Sequence, residues 1–206
     1  ANLDIALSML GDAIRAGKEN GLGQDDNTQC LFSNLHALKK NTAAAEKALE
    51  QANKSYQNQP VMQDRVQIIL TQARLEAARN NFARSLDLLN EGVDLLEKME
   101  GRWWRARIWL EMGNLYLHRN EPEDVDQAQT LFRESLAEFK DMGVDYYPDL
   151  IIDKLREVKH VSRAQAIAHK KITQELAEAG RVQNTFLPTQ SPQVNGYDIS
   201  GVLLPA

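Results

Sequence analysis

The chain has one cysteine, Cys30, among 206 residues. No internal disulfide is possible, so packing alone must hold the fold, and such sparing use suits a reducing compartment. Proline is scarce. None precedes Pro60, and only Pro122 and Pro148 lie between Pro60 and Pro188. Aromatic residues make up 6%. No apolar run approaches the ~20 residues of a membrane span, which argues against membrane partners. The opening Ala1-Asn2-Leu3-Asp4-Ile5-Ala6 has no basic start and no cleavage-type sequence, and a cytoplasmic location is expected. No basic tract occurs, and 24 basic against 29 acidic side chains leave a net charge of −5. That balance excludes nucleic acid as a default partner.

What is present is helix-forming. Alanine, leucine, glutamine and glutamate outweigh valine and isoleucine, and no stretch before residue 190 alternates with a two-residue period. The composition, 43% hydrophobic and 26% charged, is that of a folded all-α chain. Only the end differs. Leu187 to Pro192 reads as a loop, and Tyr197-Asp198-Ile199-Ser200-Gly201-Val202-Leu203-Leu204 as a short strand.

The helical part repeats. Trp109, Met112, Gly113 and Tyr116 set an aromatic–apolar–glycine–aromatic pattern on one helix, and Ala128, Phe132 and Ser135 set a small–aromatic–small pattern on the next. Ala73, Ser85, Leu89 and Gly92 fill the equivalent places around the turn Arg79-Asn80-Asn81-Phe82. Ser33, Ala45, Leu49 and Ala52 do so around Lys40-Asn41-Thr42, while Ala6, Leu10 and Ala13 read as a second helix alone. The small residues that open the second helices fall at 6, 45, 85 and 128, spaced 39, 40 and 43. Small residues let antiparallel helices approach closely, and large ones fill the gap to the next hairpin.

These motifs resemble the tetratricopeptide repeat, of which this would be a long variant covering residues 1–143. A generic helical bundle is the alternative. In the repeat family the first helices line a concave groove that holds a protein or peptide partner. By position, the resemblance implies Cys30 and Asn34 in the first repeat, Leu70 and Arg74 in the second, and Arg107, Leu110, Asn114 and His118 in the third. Asn34, Arg74 and Asn114 hold one repeat position. An asparagine amide can hold a peptide backbone and an arginine can grip a carboxylate.

A separate helix is expected from near Pro148 to Phe186, within a linker spanning 144–187. A heptad frame puts Ile151, Val158, Gln165, Ile172, Ala179 and Phe186 in one row and Leu155, Ser162, His169, Leu176 and Gln183 in the other. Leu155, Val158, Ile172, Leu176, Ala179 and Phe186 would form a parallel homodimer seam, weakened in the middle by polar residues. The alternative is a single amphipathic helix lying on its own repeats.

Residues 188–206 suggest the start of a further domain. The run Glu175 to Pro188 ends in Gln183-Asn184-Thr185-Phe186-Leu187-Pro188, followed by Gly196-Tyr197-Asp198-Ile199 and Leu203-Leu204-Pro205-Ala206. This is similar to the start of SpoIIE-type metal-dependent serine/threonine phosphatase domains, where a linker helix ends in a Gln…Leu-Pro motif and a first strand leads to Pro-Ala. The resemblance implies a switch segment at Arg181, Gln183, Leu187 and Pro188, and Mn or Mg in a catalytic domain whose Gly-Asp motif would follow Ala206. No catalytic residue is expected within 1–206 and no cofactor for these residues. His36, His118, His160 and His169 lack metal-ligand spacing, and Ala168-His169-Lys170-Lys171 lacks the acidic residue of a phosphoacceptor histidine. The expectation is a regulatory region of a bacterial signalling phosphatase. The alternative is a free-standing adaptor with no enzyme attached.

Overall fold

A computed structural model describes residues 2–20, 26–58, 60–97, 101–121 and 123–185. Among these, eight helices and no strand occur: α1 (Asn2–Glu19), α2 (Asp26–Leu38), α3 (Thr42–Asn58), α4 (Met62–Ala78), α5 (Phe82–Glu97), α6 (Arg102–Arg119), α7 (Asp124–Asp141) and α8 (Tyr146–Thr185). The all-α class holds. The strand expected at 197–204, together with Phe186, Leu187 and Pro188, lies outside the described residues. The chain divides into two units, residues 1–158 and 159–206.

In the first unit α2 pairs with α3, α4 with α5 and α6 with α7. The last two pairs are antiparallel. Arg102 at the start of α6 reaches Glu138 and Asp141 near the end of α7, while Arg119 at the end of α6 bonds Asp124 at the start of α7. Arg65 likewise bonds Glu91, and Ser85 bonds Ala73. The first helices also touch in succession, α2 on α4 and α4 on α6.

Small residues set the crossings. Ala45 and Ala128 are fully buried, and Ser85 nearly so. A buried serine ties each pair together: Ser33 Oγ donates to the Ala45 carbonyl at 2.7 Å, Ser85 Oγ to Ala73 at 2.8 Å, and Ser135 Oγ to Ala106 at 2.7 Å. Such a bond gives the hydroxyl an acceptor and holds two backbones close. Between the hairpins lie Ile68, Ile69, Leu88, Leu89 and Ile108, all essentially buried.

The turns inside the hairpins share one geometry. Lys40, Asn80 and Asn120, spaced by 40, all have positive φ, at 59°, 63° and 56°. At the first two, the next amide bonds back five residues, Asn41 N–H to His36 and Asn81 N–H to Glu76. This left-handed cap satisfies the last free carbonyls of the first helix before the chain reverses. Gly143, at 68°, ends α7 the same way.

The first unit runs past 143 to Val158, because the opening turns of α8 join the core. The Tyr147 ring stacks on Phe139 with centroids 4.4 Å apart. Ile151 and Val158 are buried. Pro148 falls in the first turn, where its missing N–H costs nothing. α8 is unbroken through Gly180. In the second unit its described residues 159–185 leave Ile167, Ile172, Leu176 and Val182 exposed.

Candidate functional site: a pocket on the first helices

The repeat phase that places glycine and alanine at the crossings also fixes what the first helices turn outward. Ser33, Ala73 and Gly113 hold one position, and all three are buried. The next residue in each helix is Asn34, Arg74 or Asn114, and these three line a single pocket of about 610 Å³. Ala37, Ala73, Ala77, Leu89 and Leu115 give it an apolar floor. Lys40, Glu111 and His118 add polar groups.

The site's electrostatics centre on Arg74. Its guanidinium bonds the Glu111 carboxylate from α6. Burial presses the Arg74 pKa down, but the charge and hydrogen bond of Glu111 outweigh it, so Arg74 stays above its ordinary range. Asn34 and Asn114 flank this pair. Each has a buried side-chain oxygen without a hydrogen-bond partner among the described residues. The two oxygens stand at one repeat position and line one pocket, where each can accept a hydrogen bond.

The remaining positions inferred from sequence separate. Cys30, Leu70 and Leu110, also spaced by 40, are 0%, 0% and 3% exposed. They lie one turn before the pocket position and face the interior, so Leu110 is a core residue and offers a partner no surface. Arg107 is partly buried away from the pocket lining. Its Nη1 donates to the Tyr147 hydroxyl at 2.8 Å, and its guanidinium lies 5.1 Å from the Trp103 ring centroid and 5.3 Å from that of Tyr147. Burial pushes the Arg107 pKa down. Tyr147 and Glu111 oppose that, whereas the charge of Arg74 adds to it.

The inferred helix seam also divides. Leu155 and Val158 belong to the first unit, where Val158 is 1% exposed and has no face left for a partner helix. Ile172, Leu176 and Ala179 are exposed on the second unit. Of the inferred switch segment, Arg181 is exposed on α8 and Gln183 is helical, while Leu187 and Pro188 lie outside the described residues. Sequence reasoning missed Glu111, Lys40 and Tyr147. Glu111 stands four residues after Arg107 on α6, a spacing that places the two one helical turn apart.

Among the described residues no group of three or more His, Cys, Asp or Glu side chains is placed to hold a metal ion, and no helix is long and apolar enough to cross a membrane. No protein-family model and no curated protein matches the chain.

Proposed function

We propose that this chain is the regulatory, partner-binding region of a cytoplasmic signalling protein. An extended protein segment docks in the pocket of the first unit. Residues 159–185 pair with a second copy, and the helix passes the signal to a SpoIIE-type phosphatase domain that uses Mn or Mg. The observation that carries the reading is the ladder Asn34, Arg74 and Asn114 along one pocket. Neighbouring helix axes lie about 8–10 Å apart, and an extended chain advances about 3.3 Å per residue. The first helices of three successive hairpins therefore meet a segment at about every third residue, a spacing that lets one backbone engage all three rungs. The hairpin pairing, the succession α2–α4–α6 and the recurring turn at residues 40, 80 and 120 support a tetratricopeptide-like array. The phosphatase attachment rests on the sequence run from Glu175 to Ala206, and a Gly-Asp pair encoded shortly after Ala206 is expected.

Selection of binding peptides from a random display library, with the 206-residue chain as bait, tests the docking. Bound peptides should slow amide exchange along α2, α4 and α6 and should be lost when Asn34 and Asn114 are both changed to Ala. Peptides that bind equally well to that double variant would contradict the reading.

A further inference from the structure

In the pocket wall one carboxylate is bonded to one guanidinium and acts on a second through its charge. Glu111 bonds Arg74 across the α4–α6 contact. Arg107 is four residues back on the same helix as Glu111, within reach of a change of side-chain rotamer. Arg107 has no carboxylate partner among the described residues. It makes a hydrogen bond to Tyr147, it lies against two aromatic rings, and its buried Nε finds no partner among those residues. A partly buried cluster of two cations and one anion carries a net positive charge, which attracts an anion and is relieved by one.

Resting on the docking proposed above, we infer that the docked segment is acidic and that its carboxylate takes Arg74 from Glu111, so that Glu111 turns to Arg107 and draws it away from Tyr147 at the root of α8. Two carboxylates then serve two guanidiniums. The change at the pocket reaches α8 through one shared side chain, because Tyr147 anchors the first turn of that helix. Tyr147 keeps its stack on Phe139 but loses its tie to α6, so residues 146–158 loosen without unfolding. The segment acts because it favours one arrangement of Glu111 over the other.

Hydrogen–deuterium exchange on the whole chain decides the matter. Arg74→Met removes the competitor for Glu111. It should speed exchange across residues 146–158 about fivefold, the scale of one net hydrogen bond. Adding Tyr147→Phe to Arg74→Met should give no further change. Glu111→Gln removes the carboxylate that captures Arg107 and should leave 146–158 at the wild-type rate, which a general loosening of the hairpin would not do. A hexaglutamate peptide should speed the same region in the wild type but not in Arg74→Met or Glu111→Gln, and hexaglutamine should have no effect. Unchanged exchange in Arg74→Met, or fast exchange in Glu111→Gln, overturns the relay. Hexaglutamate that binds through Arg74 yet leaves 146–158 unmoved overturns the relay and leaves the docking reading standing. Failure of hexaglutamate to bind, or an equal effect of inorganic phosphate, overturns the acidic-segment assignment.

Discussion

A Cβ built on Gly113 would lie 2.5–2.9 Å from three ring atoms of Phe132, and Phe132 is fully buried. An aromatic ring wedged in a core cannot swing aside as the end of an aliphatic chain can. Gly113→Ala should therefore destabilise the chain by about 1–3 kcal/mol, read as a lower denaturant midpoint. Gly180, with nothing within 4 Å of its Cβ position, is the control that should tolerate alanine. Charges at the same scale set the response to acid. Hydrogen bonds from Arg119 hold the Asp124 carboxyl below the usual range, against the opposing effect of burial and with help from the Glu121 N–H. Arg105 and Arg102 do the same for Glu138. A depressed folded pKa contributes stability that is present above the unfolded value, about pH 4, and is lost as pH falls through the folded value. Unfolding free energy should drop below about pH 4, and Arg119→Met should reduce that drop. An equal acid response in that variant would assign the loss to other carboxylates.

At the scale of helices, the crossings carry the repeat. Ala128 is fully buried where α7 meets its neighbours, so Ala128→Leu should overpack the last hairpin and cost about 1–3 kcal/mol. A melting temperature unchanged by that substitution would remove the close crossing from the account. The hairpins were legible in sequence because small residues recur in phase and because asparagine or lysine falls where each chain reversal needs a left-handed residue. The shared repeat position of Asn34, Arg74 and Asn114 was legible for the same reason. Glu111 was not, because what it does depends on a guanidinium 37 residues away. Nor was Tyr147, whose stack on Phe139 and bond to Arg107 bring the start of α8 into the core beyond residue 143. The length of α8 was readable from the absence of proline between residues 149 and 187. That its first turns bury Ile151 and Val158 while its later ones leave Leu176 68% exposed follows from tertiary packing, which a heptad frame does not register.

For the whole molecule, we propose a docking pocket coupled to a helix that pairs with a second copy. Ile172, Leu176 and Val182 are large apolar residues left in solvent on one helix, the arrangement that association relieves. Sedimentation velocity should show the chain shifting to dimer as concentration rises, and Leu176→Glu should keep it monomeric. If both sediment as monomers at high micromolar concentration, the helix is a spacer. Pairing matters only if a partner in the pocket drives it. Calorimetric titration of a library-selected peptide against the wild type and Asn114→Ala decides whether the pocket holds one. Loss of one charge-neutral hydrogen bond predicts about fivefold weaker binding to the variant. Equal affinity for both proteins would show that the pocket ladder does not hold the partner.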